Sequence, residues 1–369
     1  MPVNPLQELR VLGQSVWLDF IDRDLLTSGG LDRLIEKDGV AGLTSNPTIF
    51  ERAISRSGAY DDAIRAEASA SAGTQSLYEG MALQDVRSAA DRFAPLYRAT
   101  DARDGYVSLE VSPHLAQDTN ATIQEARRLW AAFDRPNAMI KVPATAAGLA
   151  AIQRLLADGI NVNVTLLFGL DRYREVVEAF LAGLESRAAS GKAIERVASV
   201  ASFFVSRIDT LVDHLLDASG NETARVIRGQ AAIASARLAY QHYKQWTATP
   251  RWRLLHERGA RPQRLLWAST STKDPSYSDI KYIEALIGPD TVVTIPPDTL
   301  AAYREQGRPA RRLENDLLEA VALPDALGRC NIRLDAIAAQ LEHEGVQKFV
   351  EPFDALLASL ERRRRELRS

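Results

Sequence analysis

Short runs of β-branched and aromatic residues alternate with longer stretches of helical periodicity along the whole chain. The runs that read as strands cover 16–21 (VWLDFI), 40–45 (VAGLTS), 106–111 (YVSLEV) and 138–142 (AMIKV). Four more cover 162–168 (VNVTLLF), 197–205 (VASVASFFV), 264–269 (RLLWAS) and 291–295 (TVVTI). Amphipathic segments such as GLAAIQRLLADG, DRYREVVEAFLAGLESRAA and the long 209–245 region fill the gaps. Strand and helix alternating at this spacing predict βαβ units and a parallel sheet. Eight such units predict a (β/α)8 TIM barrel, residues 1–369 forming one domain with additional helices, since ~250 residues plus insertions is ordinary for that fold. The competing open sheet usually carries a glycine-rich phosphate turn after its first strand, and VWLDFIDRD has none. Residues 308–327 read as a loop or insertion after the eighth strand. Residues 341–369 read as a helix whose closing ERRRRELRS is a solvated end, with a site for an anionic partner as the alternative.

Polar residues recur at and just inside the C-terminal ends of these strands. Asp19 lies in the first, Thr44 and Asn46 close the second, and Glu110 is late in the third. Lys141 lies in the fourth, Asn163 and Thr165 in the fifth, Ser202 and Arg207 at the sixth, Ser269 at the seventh. Barrel active sites are assembled at that face from several strand ends, so the repeated habit predicts a site there.

Composition narrows the chemistry. Lys and Arg number 45 against 48 Asp and Glu, a formal charge of −3, which argues against a nucleic-acid partner that would need a cationic excess. No apolar run approaches the ~18–20 residues that cross a bilayer. The opening MPVNPLQELRVLG lacks the basic and apolar regions of a secretory signal, so a cytoplasmic protein is expected. The single cysteine, Cys330, excludes an intramolecular disulfide. His114, His214, His242, His256 and His343 are scattered without ligand spacing, so no metal is expected.

Only seven of the cations are lysines and 38 are arginines, which draws attention to Lys141 inside the apolar NAMIKVP. Burial disfavours an ammonium, and the neutral amine so produced is the nucleophile of Schiff-base chemistry. A lysine paired with a buried carboxylate, or one snorkelling from the sheet, is the alternative. Schiff-base formation expels water and needs a proton shuttle, and breaking a C–C bond needs a base for a substrate hydroxyl. Asp19 and Glu110 supply two carboxylates for those roles. Each alone reads as a structural hydrogen-bonder, but with Lys141 they form a catalytic set.

These residues sit in motifs that resemble the transaldolase family: VWLDFIDRDLL, GLTSNPTIF, VSLEVSPHLAQDT, MIKVPAT, INVNVTLLFGLDRY, ASFFVSRID and RLLWASTSTKDP, in order and across most of the chain. The length and the WAST segment resemble the longer subgroup related to the transaldolase half of transaldolase/phosphoglucose isomerase fusions. The resemblance implies a class I aldolase-like barrel that moves a dihydroxyacetone unit between sugar phosphates of the pentose phosphate pathway. No cofactor, metal or membrane partner is implied, and the chain is expected to be a monomer or homodimer. Lys141 matches the Schiff-base lysine and Asp19 the acid/base for the C4 hydroxyl. Glu110, through a water held with Thr165, matches the carboxylate of carbinolamine dehydration. Thr44, Asn46, Asn163 and Ser202 match groups around the substrate, and Arg207 a phosphate-binding arginine. Phe204 is read as a wall of the site, whereas Phe203 and Trp267 are read as packing.

Two departures stand out. Shorter relatives carry a second phosphate arginine where this chain has Ser271, within Ser269-Thr270-Ser271, so Lys273 is expected to compensate with the Ser269 and Ser271 hydroxyls. VPAT also replaces LAST after the lysine. The rival readings are an aldolase resembling fructose-6-phosphate aldolase, whose members are shorter and typically carry glutamine where Glu110 stands, and a catalytically silent sugar-phosphate binder.

Overall fold

The computed structural model describes residues 4–68, 73–219 and 222–367. Eight parallel strands close on themselves in sequence order: β1 (Gln14–Asp19), β2 (Val40–Thr44), β3 (Tyr106–Glu110), β4 (Ala138–Pro143), β5 (Val162–Leu167), β6 (Ser199–Phe204), β7 (Arg264–Ala268) and β8 (Thr291–Ile295). Each expected strand is present, and β8 has the expected bounds. β1 starts two residues early because Gln14 pairs with Thr291 of β8. It stops at Asp19 because the chain turns to Asp22, whose side chain caps the helix Arg23–Thr27. β6 starts at Ser199, where pairing with β5 begins.

Helices follow the strands and cover the barrel, as the doubly buried character of parallel sheets requires. Thr145 of VPAT caps the helix Ala146–Asp158 through the Gly148 N–H, and its hydroxyl also donates to Ala116 O at 2.5 Å. The 209–245 region is helical as expected, through the helices Ser206–Ser219, Glu222–Ile227 and Ala231–Thr247. Gly229, at φ +72°, turns the chain between the last two. The 308–327 segment is irregular to Asp316 and then helical over Leu317–Gly328. Among the described residues no helix is long and apolar enough to cross a membrane.

Packing around the strands is tight. Trp17 of β1 is fully buried, and a Cβ on the neighbouring Gly42 would lie 2.6 Å from its indole, so glycine is the residue that fits there. Phe203 and Trp267 are likewise buried and meet edge to face, 6.3 Å between centroids, as packing residues. At the N-terminal end Arg264 closes the barrel, donating to Asp104 Oδ1 at 2.9 Å and to Ser15 Oγ at 2.8 Å, while Ser15 donates to Asp104 Oδ2. Its side chain and that of Asp104 are 8% and 7% exposed.

The C-terminal helix Leu334–Glu366 belongs to no strand–helix repeat. It packs against the helix Pro47–Arg56, the helix Thr74–Ala99 and β5. Its basic end is only partly solvated, which corrects the expectation from sequence. Arg363 pairs with Asp61 at 2.6 Å and donates to Ile54 O at 3.0 Å, and Arg364 is buried. The cations thus pin the helix to the barrel.

Removing one partner of a buried pair strands the other charge. Arg264→Ala is expected to cost about 3–5 kcal/mol, read as a lower urea midpoint, while steady-state KM is retained because the pair lies at the end opposite the strand C-termini.

Candidate active site

Strand register brings the polar residues together. Glu110, Lys141 and Asn163 are direct neighbours on β3, β4 and β5, and Asp19 faces Thr44 across β1 and β2. Residues in register on parallel strands carry their side chains to the same face. The apolar neighbours of Lys141, Ile140 and Val142, are fully buried, so the lysine is the polar interruption of an otherwise apolar strand.

Lys141 Nζ lies 3.1 Å from Glu110 Oε2, with side chains 6% and 4% exposed, and donates to Ser45 O at 3.2 Å. The contact with Glu110 has ion-pair distance without hydrogen-bond geometry. Both Glu110 oxygens and the Thr165 hydroxyl are buried without a hydrogen-bond partner. Burial pushes the Glu110 carboxyl above its ordinary range, against the opposing pull of Lys141. The neighbouring groups are hydrogen-bonded to one another. Ser202 Oγ donates to Asn163 Oδ1 at 2.6 Å and Asn163 Nδ2 donates to Ser108 Oγ at 3.0 Å. Thr44 donates to Asp19 Oδ1 at 2.7 Å and lies 2.8 Å from the Thr294 hydroxyl. Burial raises the Asp19 pKa, opposed by Lys141, by the Thr44 hydrogen bond and by Lys273.

Above this layer opens a cavity of about 630 Å³. Asp19, Thr44, Asn46, Lys141, Ser202, Phe204, Arg207, Ser269, Ser271 and Lys273, all singled out from sequence, line it. Glu110, Asn163 and Thr165 lie behind that lining; Glu110 meets it through Lys141, and Asn163 through Ser202. Asn46 also shapes the local backbone, because its side-chain oxygen accepts from Ile49 N at 3.0 Å and so caps the helix Pro47–Arg56. Ser269 takes a left-handed backbone, φ +55°, and its hydroxyl meets that of Ser206 at 2.8 Å, tying the end of β7 to the helix that carries Arg207. A non-glycine residue in that region marks a strained turn, a feature common at functional sites.

Besides Lys141, three cationic side chains line the cavity: Arg207, Lys273 and Arg52. The Arg207 guanidinium sits over the Phe204 ring at 5.4 Å, its Nη1 is buried without a partner, and burial pulls its pKa down. Lys273 donates to Ser271 Oγ at 2.7 Å, and burial together with Arg207 and Arg52 pulls its pKa down. The cluster is built for an anion, since each cation disfavours the others until a negative group arrives. Among the described residues no three His, Cys, Asp or Glu side chains gather in a metal-binding cluster.

Sequence reasoning missed Arg52, Thr294, Ser45 and Phe349. Arg52 follows Asn46 by six residues on the helix that Asn46 caps, so the helical period offered a signal. Ser45 stands inside the TSNPT motif, and Thr294 lies late in β8 as the other site residues lie late in their strands. Phe349 comes from the C-terminal helix, far from any strand end, and nothing local marks it.

Residues 16–360 match the family model described as "Transaldolase/Fructose-6-phosphate aldolase". The chain is 48% identical to a transaldolase of Acidothermus cellulolyticus, over 98% of this chain and 99% of that one. It is 46% identical to a "Transaldolase 2" of a Nostoc species, over 98% of each, and 46% identical to a transaldolase of Thiobacillus denitrificans, over 97% and 100%. With an eight-stranded barrel, a lysine beside a carboxylate at its open end and likeness running through nearly the whole chain, this protein belongs to the transaldolase/fructose-6-phosphate aldolase family of enzymes.

Proposed function

We propose that the chain is a transaldolase, carrying a dihydroxyacetone unit from a ketose phosphate to an aldose phosphate as a Schiff base on Lys141. The donor is sedoheptulose 7-phosphate or fructose 6-phosphate and the acceptor glyceraldehyde 3-phosphate or erythrose 4-phosphate. The observation that carries the reading is Lys141 Nζ, 3.1 Å from Glu110 and lining a cavity that also holds Asp19 and three cations.

Each step draws on a named group. The Lys141 amine attacks the ketone carbon, and the proton it gives up passes to Glu110. The carbinolamine hydroxyl must leave as water, and Glu110 returns the proton for it. The Glu110 oxygens and Thr165 hydroxyl, none of them hydrogen-bonded within the protein, are suited to bind a water between them, since buried polar atoms without a hydrogen bond are where ordered waters sit. Asp19 then takes the C4 hydroxyl proton as the C3–C4 bond breaks and the aldose phosphate departs. The electrons of that bond are held as an enamine on Lys141. Addition to the second aldose runs the steps in reverse, with Asp19 now giving the proton. Arg207 grips the phosphate, and Lys273 takes the part of the second arginine, with Arg52 beside it and the Ser269 and Ser271 hydroxyls as donors. Residue 110 favours transfer over release, because a titratable glutamate stands there rather than glutamine.

Borohydride reduces an imine to a stable amine. Incubation with fructose 6-phosphate and borohydride is expected to leave a three-carbon adduct on the peptide containing Lys141, and none in Lys141→Ala. Adding erythrose 4-phosphate to the unreduced enzyme should yield sedoheptulose 7-phosphate in excess of free dihydroxyacetone. Absence of an adduct despite sugar-phosphate binding would leave only a silent binder.

The pH profile supplies an independent check. Asp19 acts as base only when ionised, and burial raises its pKa above the ordinary 3.8, so the acid limb of kcat lies above that value. The Thr44 hydrogen bond favours the carboxylate and lowers the pKa. Thr44→Val therefore moves the acid limb to higher pH, and a limb that stays put or moves down contradicts the assignment. Asp19→Asn should lower kcat by about 10²–10⁴-fold.

For the anion cluster, Lys273→Ala and Arg207→Ala are each expected to raise KM for glyceraldehyde 3-phosphate by about tenfold or more, while unphosphorylated glyceraldehyde is affected far less. Equal losses on the two acceptors would remove Lys273 from the phosphate site.

A further inference from the structure

The cation proposed to replace the second phosphate arginine is borne by a loop. Lys273 lies in the segment 269–280, between β7 and the helix Lys281–Ala285. It lines the active cavity and, together with Arg207, also a second cavity of about 730 Å³. A lysine that borders two open volumes is not aimed by packing alone, and its four-carbon stem is flexible.

The loop is tied to the helix that carries Arg207. Ser206, Asp209, Asp213 and Asp217 recur every three or four residues along Ser206–Ser219 and so share one face. Ser269, at the start of the loop, meets Ser206 at 2.8 Å between hydroxyls, and the Tyr277 hydroxyl donates to Asp213 Oδ2 at 2.7 Å. Lys281 Nζ, just past the end, donates to Asp209 Oδ2 at 2.9 Å. Asp217 is reached through Arg228. That guanidinium donates from Nε to Asp217 Oδ1 at 3.0 Å, from Nη1 to the Tyr277 hydroxyl at 2.8 Å and from Nη2 to Asp274 Oδ2 at 2.6 Å. Asp274 directly follows Lys273, and its other oxygen accepts from Ser276 N and Oγ. Among the described residues, Asp274 is the one member of 271–276 hydrogen-bonded to a residue outside 269–277.

Resting on the phosphate role given to Lys273, we propose that Arg228 is a positioning residue for phosphate recognition, holding Lys273 toward the active cavity alongside Arg207 through its bond to Asp274. An arginine brings a planar fork that is pre-organised, whereas a lysine on a loop needs the loop itself to be fixed. Without the Arg228 bond, residues 271–276 are tethered at their two ends only, and Lys273 is free to spread over both cavities. Phosphate must then order the loop as it binds, which weakens binding. Arg228 already has two carboxylates and a hydroxyl on it, so its part is to aim Lys273 and not to hold the anion. The reacting carbons of the sugar are untouched by this loosening.

The test reads the preference for a phosphorylated acceptor, taken as kcat/KM for glyceraldehyde 3-phosphate over kcat/KM for glyceraldehyde, in the full chain with fructose 6-phosphate as donor. Arg228→Ala is expected to lower this ratio by about fivefold or more, while kcat/KM for glyceraldehyde stays within about twofold. Asp274→Ala breaks the same bond from the other side and should lower the ratio too. The pair separates aim from charge. Deleting a cation weakens attraction for phosphate and deleting a carboxylate beside Lys273 strengthens it, so an effect of charge alone moves the two variants in opposite directions. In a Lys273→Ala background, Arg228→Ala should change the ratio by less than about twofold, because a residue that acts through Lys273 has nothing left to act on. Asp217 and Asp274 are 58% and 26% exposed, so neither variant strands a buried charge. Circular dichroism and thermal melting check folding, and a variant that fails to fold leaves the comparison to the other. An unchanged ratio in Arg228→Ala, a rise in Asp274→Ala, or an equal fall with and without Lys273 each overturns the proposal. If Lys273→Ala lowers the ratio and Arg228→Ala does not, the role of Arg228 alone is lost. If Lys273→Ala leaves the ratio unaltered, the phosphate reading of Lys273 falls as well.

Discussion

A lysine and a glutamate 3.1 Å apart, both almost wholly out of water, are the least affordable feature of this barrel and the one around which its upper half is arranged. Moving two charges from water into a protein interior costs several kcal/mol each, and mutual attraction offsets this only when the geometry is good and the remaining polar atoms are satisfied. Here satisfaction is incomplete. Lys141 has the Ser45 carbonyl, but Glu110 has no hydrogen-bonded protein partner for either oxygen. A pair kept for stability alone would be expected to saturate its carboxylate. One kept for proton traffic needs an oxygen that can take and give.

The contrast with the surrounding layer supports that view. Ser202, Asn163 and Ser108 form a closed relay, and Thr44 bridges Asp19 to Thr294. These contacts hold each donor in one orientation, which is what pre-organisation of a site requires. The same barrel shows the other way to bury charge at its opposite end. Arg264 and Asp104 are bonded to each other and to Ser15, and nothing there is left for a ligand. One end of the cylinder is sealed and the other is poised.

The C-terminal helix supplies the roof. Its Arg363 reaches back to Ile54 and Asp61, its Gly345 admits close approach to the bulged strand β5, and its Phe349 reaches the lysine. The charges that complement its dipole at this end therefore also fasten it. Leu166 in left-handed backbone would be an unexplained strain without this helix, and the helix would lack a seat without the bulge. Each irregularity accommodates the other.

Local rules were enough for much of this. The period of apolar residues marks the eight strands, the order of strand and helix implies the closed parallel barrel, and the late polar residue in each strand marks the face where a site would form. Lys141 and Asp19 were singled out for that reason, because a polar residue in an apolar strand needs an explanation that a surface residue does not. Arg207, on the helix Ser206–Ser219, stood out instead through the family resemblance. The start of β1 moved from Val16 to Gln14 because its pairing partner Thr291 on β8, which lies hundreds of residues away, decides where the ladder starts. The same holds for the site. That Lys141 sits beside Glu110, that Asn46 caps a helix while it lines the cavity, and that Phe349 covers the lysine are set by barrel register and by where one long helix lands. Sequence spacing determined which side chains share a strand face; only closure of the barrel and docking of the last helix decided which of them touch, because those contacts join residues whose separation along the chain carries no periodic signal.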